Sequence, residues 1–413
     1  MNISFPAFLK SLPANALRLS AAAAATGIIS PPLTLVLGNE SADLDSMVTS
    51  ITLAYILSQT ESTMAIPILN TNRSDLRLRP DCSQLLNSTL YDATLGETDL
   101  RGLTFIDDFD LPALAASARS GGLNVWLADH NAPSSGQRYL EPLVRGIIDH
   151  HVDEGRCLDA PVRVLEPVGS CATLVGGMLR ETCEEIHPAL AKMILAPIVL
   201  DTSNLSGKAG GRATAKDRAV ASWLLPQVRW STNVANITDD TDTFTLEVSD
   251  MEALYRALDK LKGQTSHLSS YDLLRKDYKQ WEVLDANGLA WQVGISSVGM
   301  RMPKWLARDG RKEFVQAVRH WIEERKLDIA LVMMHGKTKV DGEKAYGRDL
   351  VVLFGEEVAA KAAESVVGGL VGGSLALREV GRKHGAWFFE QSNTVASRKQ
   401  VFPEVKRVIE AVN

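Results

Sequence analysis

Residues 145–151 read RGIIDHH, an apolar, strand-like run that delivers Asp149, His150 and His151 at its end. Working outward, the same pattern of an apolar run closed by an acid recurs three times. It delivers Asp43 and Asp45 in VLGNESADLDS, Asp129 in VWLADHN and Asp201 in APIVLDTSN. One aspartate at a strand end is more often a turn residue or a helix cap than a ligand, and a lone DHH triplet suits a solvated loop equally well. Four segments repeating the pattern point instead to acids and imidazoles gathered on one rim, as a metal site requires.

The surrounding pattern predicts the fold. LTLVLG (33–38) reads as a buried strand and LDSMVTSITLAYIL (44–57) as a helix. TMAIPILN, LTFIDDF, LNVWLAD, RGIID and the APIVLD run ending at Asp201 read as further strands, with helices such as LPALAASARS between. Alternation of this kind predicts an α/β fold with a doubly wound, mainly parallel sheet whose ligands sit beyond the carboxyl ends of its strands. Asp107 and Asp108 of FIDDF are expected to cap the helix that follows. After the glycine-rich KAGGRATAKD and a helix ending near Leu225 comes the polar stretch 231–249, expected to act with the following helix as a connector. The pattern then restarts with strand LAWQVGISSV, helix FVQAVRHWIEERK, strands DIALVMMHG and DLVVLFG, helix EEVAAKAAESVV and a terminal helix. The expected organisation is a first domain over 1–230 with an N-terminal helical extension over 1–30, a linker over 231–260, and a smaller α/β domain over 261–413. VVGGLVGGS (366–374) reads as a helix end followed by a turn.

Composition bounds the function. The 413 residues are 45% hydrophobic and 23% charged, as expected of an ordinary globular protein. The net charge of −6 hides an asymmetry: residues 1–260 carry 20 basic and 31 acidic side chains, and 261–413 carry 24 basic and 19 acidic. An acidic part suits cations and a basic part an anion, although two unrelated solvated surfaces would look the same. The four cysteines lack CxxC spacing, so neither a zinc knuckle nor a disulfide framework is indicated. No apolar run of about 18 residues argues for a membrane span. The expected compartment is cytoplasmic; because residues 1–39 contain Lys10 and Arg18 but no acid, a mitochondrial transit peptide is the weaker alternative. The sequons at Asn72, Asn87 and Asn236 carry no meaning without a secretion signal.

Hard divalent cations favour carboxylate oxygens, and the Asp43-x-Asp45 spacing lets two acids face one pocket while Leu44 turns inward. So many carboxylates repel unless cations neutralise them, and two ions with one bridging carboxylate are the natural content. Such a site hydrolyses phosphoanhydrides or phosphodiesters without a side-chain nucleophile, and the sequence shows no Ser-His-Asp, Cys-His or GxxxxGK[ST] pattern.

In this order, GNESADLDS, LADHN, GIIDHH, EPVGSCATLV and LDTSN, followed by LLRKDYKQW and SRKQVFP, resemble the DHH phosphoesterase superfamily. The resemblance is to its branch with a second, DHHA2-type domain: family II inorganic pyrophosphatases, eukaryotic cytosolic exopolyphosphatases and prune-like proteins. Pyrophosphatases carry His where Asn39 stands here, whereas the GNESAD wording, GSCATLV, DTSNL and SRKQ are similar to the fungal exopolyphosphatases.

The resemblance implies that Asp43, Asp45, Asp129, His150 and Asp201 are metal ligands, with Asp129 bridging two Mg²⁺ (or Mn²⁺) ions. It implies that His151 faces substrate phosphate, that Asp149 supports both histidines, and that Lys279, Arg398 and Lys399 contact phosphate from the second domain. Asn39 either coordinates a cation or hydrogen-bonds a water on it, and an amide oxygen there leaves Mg²⁺ adequate. The implied activity is release of orthophosphate from the end of linear polyphosphate by an attacking hydroxide, the rest of the chain following a basic channel between domains. The rivals are a pyrophosphatase and a prune-like interaction protein with weak hydrolytic activity. A phosphodiesterase on oligonucleotides or cyclic nucleotides is more distant. Inorganic polyphosphate is the expected partner, with no nucleic acid, membrane or obligate protein partner inferred.

Overall fold

The structure, a computed structural model, describes residues 3–24, 32–60, 65–94, 100–117, 121–207, 211–231, 246–340 and 343–412. Parts of the KAGGRATAKD loop and of the polar connector, with Asn236, lie outside them. The chain divides into two compact units, Met1–Gln264 and Thr265–Asn413.

The first unit begins with α1 (Phe5–Ala24), whose Phe5, Phe8, Leu9 and Leu12 are buried. It continues through β1 (Leu33–Gly38), α2 (Leu44–Thr60), β2 (Ala65–Leu69), α3 (Pro80–Thr94), β3 (Thr104–Phe105), α4 (Leu111–Ser117), β4 (Leu123–Ala128), β5 (Val144–Asp149) and β6 (Val162–Leu165). Helices α5 (Ala172–Thr182), α6 (Pro188–Asp201), α7 (Ala215–Leu224) and α8 (Met251–Lys262) complete it. The strands form one sheet in the order β3-β2-β1-β4-β5-β6 with every pairing parallel. All six residues of β1 are buried, as a strand covered on both faces requires. The order reverses between β1 and β4, so a crevice opens beyond their carboxyl ends.

Two expectations need correction here. APIVLD is not a strand: it is the last part of α6, and Asp201 stands at a helix end. From Ala189 to Leu200 every residue of this helix is buried, so it has no polar face, and a continuous apolar run cannot be told from a buried strand by periodicity. Each of its Leu, Ile and Val side chains contributes about 1.5–3 kcal/mol on burial, which outweighs the hydrogen bond lost at Pro197. Likewise Asp107 and Asp108 do not cap α4. Asp110 Oδ1 accepts the Ala113 N–H at 2.8 Å, while Asp107 and Asp108 accept from Arg73 at 2.9 Å and 2.6 Å. Helix α8 packs against α3 and α6 of this unit.

The second unit runs α9 (Ser270–Lys276), β7 (Tyr278–Leu284), β8 (Ala290–Val298), α10 (Met302–Asp309), α11 (Arg311–Arg325), β9 (Ile329–Val340), β10 (Glu343–Phe354), α12 (Ala360–Val371), β11 (Leu377–Lys383), β12 (Ala386–Gln391) and α13 (Arg398–Glu410). Its mixed sheet has the order β11-β12-β10-β9-β8-β7, with only β8 and β9 parallel. Ile295, Leu331, Val352 and Phe389 pack with Val366 and Leu370 of α12 and Val405 of α13 on one face. α12 continues through both Gly368 and Gly369 to Val371 and is followed by a turn, as VVGGLVGGS suggests. No helix among the described residues is long and apolar enough to cross a membrane.

Candidate metal centre

The parallel register brings the ends of three strands together. Asn39 follows β1, Asp129 follows β4, and Asp149, His150 and His151 close β5. Asp43 caps α2, its Oδ1 accepting the Ser46 N–H at 3.1 Å, and places Asp45 in the first helical turn. Asp129 adopts φ +65°, a left-handed conformation that costs on the order of 1 kcal/mol and recurs at functional sites.

Asp129 is held from behind by Asn39, whose Nδ2 donates to the Asp129 carbonyl at 3.1 Å and to Oδ2 at 2.7 Å. The Asn39 oxygen accepts the Ala42 N–H at 3.1 Å. Two acceptors on one side and a donor on the other fix which way the amide points. Asn39 therefore spends its hydrogens on Asp129 and its oxygen on the loop.

His150 decides whether a cation fits. Its Nδ1 lies 2.9 Å from the Val168 carbonyl, which can only accept, so Nδ1 carries the proton. Nε2 faces Asp129 Oδ1 at 3.4 Å and Asp45 Oδ2 at 3.9 Å, where it offers a lone pair to a cation once deprotonated. Those separations exceed an ordinary N–H···O bond, and one nitrogen and two carboxylate oxygens converging there offer donor atoms to a cation. Ligand atoms of Asp129, His150 and His151 all fall within 4.8 Å of one another. The mixed oxygen and imidazole set suits a divalent ion of the Mg²⁺, Mn²⁺ or Zn²⁺ kind.

Asp149 is fully buried and serves both histidines. Its Oδ1 accepts the His150 N–H at 2.7 Å and lies 2.7 Å from His151 Nδ1, while Oδ2 accepts Asn131 Nδ2 at 2.6 Å. Burial opposes its charge, but the His151 hydrogen bond and charge, then Asn131 and His150, overcome that and hold the carboxyl well below the usual range.

Asp45 and Asp201 behave in the opposite way. Burial and then the charge of Asp43 push Asp45 up to about 6, despite hydrogen bonds from Ser170 Oγ (2.8 Å), Cys171 N (2.7 Å) and Ala172 N (2.8 Å). Burial pushes Asp201 up to about 7; Lys262, 3.7 Å away, opposes this, and Asp45 and Asp43 add to it. Raised carboxyls of this kind report burial first and neighbouring negative charge second.

The structure thus brings Asn39, Asp43, Asp45, Asp129, Asp149, His150, His151 and Asp201 to one end of the first unit. Lys279, Arg398 and Lys399 belong to the second unit: Lys279 is the second residue of β7, and Arg398 opens α13 with Nη2 2.7 Å from Asp277 Oδ1. Sequence reasoning missed Asn131, Ser170 and Asp217, although LADHN and GSCATLV contain two of them. Asp217 accepts from Gly169 N at 3.0 Å and Thr173 Oγ1 at 2.5 Å, fixing the segment that serves Asp45.

The DHH family N-terminal domain matches residues 34–198 and the DHHA2 domain residues 256–408. A Schizosaccharomyces pombe protein named "Putative exopolyphosphatase" is 30% identical over 397 residues, 92% of each chain. The chain belongs to the DHH phosphoesterase superfamily. As a DHH protein with a DHHA2 domain, it is also 31% identical over 285 residues to Bos taurus "Exopolyphosphatase PRUNE1", covering 68% of this chain and 55% of that relative. Among solved structures, that of the "Methanococcus jannaschii putative family II inorganic pyrophosphatase" superposes with a TM-score of 0.57 at 20% identity, over 91% of this chain and 99% of that one. That likeness establishes the DHH and DHHA2 fold and nothing about substrate.

Proposed function

We propose that this DHH protein is an exopolyphosphatase that removes orthophosphate from the end of linear polyphosphate with two Mg²⁺ (or Mn²⁺) ions. The observation that carries the reading is the convergence of His150 Nε2 with Asp129 Oδ1 at 3.4 Å and Asp45 Oδ2 at 3.9 Å, with His151 in the same cluster. Asp43, Asp45, Asp129, His150 and Asp201 would hold the cations. Divalent cations there would neutralise charge on the attacked phosphoryl group and make the attacking water more acidic. Asn39 keeps Asp129 aimed, and Asp149 keeps His151 oriented toward a phosphate oxygen. Lys279, Arg398 and Lys399 would offer positive charge to the leaving phosphate, Arg398 from a position fixed by Asp277.

The GNESAD loop and the relatives' names favour polyphosphate over pyrophosphate. With Asn39 engaged by Asp129 and Ala42, the metal set is richer in oxygen than one with a histidine there, which favours Mg²⁺. The test is activity after chelation and after Asp129→Ala. Chelated protein is expected to release no orthophosphate from long polyphosphate and to recover with Mg²⁺, and folded Asp129→Ala is expected to stay inactive with the metal restored. Wild-type turnover by that variant would refute the role of Asp129.

A further inference from the structure

In the second unit, β9 and β10 outrun their neighbours. β8 pairs with β9 as far as Met334, and β12 pairs with β10 from Arg348 inward. Among the described residues, the outer parts of β9 and β10 pair only with each other, as a two-stranded ribbon. Opposed residues share a face, so His335 stands with Arg348 and Lys337 with Tyr346; the next pair in register is Lys339 with Lys344. The other face alternates with this one and pairs Gly336 with Gly347 and Met334 with Asp349.

Arg301 clamps that second face. Its Nε and Nη2 donate to Asp349 at 2.6 and 2.9 Å, and its Nη1 lies 3.4 Å from Thr338 Oγ1. A Cβ on Gly347 would stand 2.1 Å from Nη1, so the paired glycines let the guanidinium lie on the ribbon. The outer part of the first face turns to solvent. Lys337 is exposed and Tyr346 is 45% exposed, with the Arg348 Cζ 5.6 Å from its ring centre and the His335 ring 6.3 Å away. An isolated ribbon is marginal in water.

The ribbon continues an edge that is already basic. Strand directions bring the end of β9, the start of β10, the start of β7 with Lys279 and the end of β12 to one end of the sheet. Arg348 Nε donates to the Thr394 carbonyl at 2.8 Å, in the segment leading into Arg398 and Lys399. We propose that the ribbon face of His335, Lys337, Tyr346 and Arg348 is a holding site for the body of a linear polyphosphate chain. The proposal rests on the polyphosphate reading above and assigns residues outside the metal centre. A nucleic acid fits less well, because a single tyrosine overlaid by Arg348 is not a series of stacking platforms.

The test uses the full chain and Lys337→Glu, with Arg348→Gln as the second variant. End-labelled long polyphosphate is bound to chelated protein at two salt concentrations; Lys337→Glu should weaken binding about tenfold and flatten the salt dependence. With Mg²⁺ restored, the ratio of kcat/KM on long polyphosphate to that on tripolyphosphate should fall about fivefold in the same variant. Unchanged affinity and ratio in both variants would overturn the proposal. So would a single-stranded oligonucleotide of matched charge that competes equally well. If the wild type cleaves no phosphoanhydride, the proposed function fails, yet binding to chelated protein still decides the ribbon.

Discussion

Asp129 owes its setting to Asn39, which grips both its carbonyl and its carboxylate. Asn39→Ala is therefore expected to lower divalent-cation affinity about tenfold, measured by calorimetric titration of chelated protein. Unchanged affinity would mean that Asp129 is held by its backbone alone. Asp149→Asn should have a comparable effect, because His151 loses a charged partner at 2.7 Å. At this scale the acids at strand ends and the DHH triplet were legible, since each ends an apolar run. Asn131, Ser170 and Asp217 were not, because their partners lie 18, 125 and 48 positions away and only folding introduces them.

The segment from Val168 to Ala172 is the element on which the centre turns. It accepts the His150 ring proton through Val168, gives Asp45 three donors, and is tied to α7 through Asp217. Gly169 permits this approach: a Cβ there would meet Thr202 Cγ2 at 2.4 Å and the Arg212 carbonyl at 3.1 Å. Gly169→Ala should destabilise the protein by about 1–3 kcal/mol in chemical denaturation, and a neutral result would contradict this packing. Strands β1, β4 and β5 and helices α2 and α11 were readable from their apolar periods. The wholly buried α6 hid its helical period, β6 is only four residues long, and the edge strand β11 is mostly solvent-facing with little apolar alternation to read.

Across the whole molecule, the acidic first unit carries an electrostatic penalty that bound cations would relieve. Asp45 and Asp201, pushed up to about 6 and about 7, bind protons more tightly folded than unfolded. Their contribution favours the folded metal-free protein below about pH 4 and is lost as pH rises through 6 to 7. Asp149 is shifted the other way, but its window lies below that range. The gain in melting temperature when excess Mg²⁺ is added to chelated protein should accordingly be larger at pH 8 than at pH 5. Equal gains would show that these two carboxyls do not face the cation.

The division into an acidic part and a basic part, −11 against +5 from the side-chain counts, was legible in composition, whereas Lys279, Arg398 and Lys399 were singled out by resemblance alone. The substrate is decided by the products. Long-chain polyphosphate incubated with the protein and Mg²⁺, with chain length and orthophosphate followed from the first turnovers, should yield orthophosphate as the only small product. Its release should also be faster than from pyrophosphate. Cleavage confined to pyrophosphate, or fragments of intermediate length without orthophosphate, would contradict an exopolyphosphatase built on this centre.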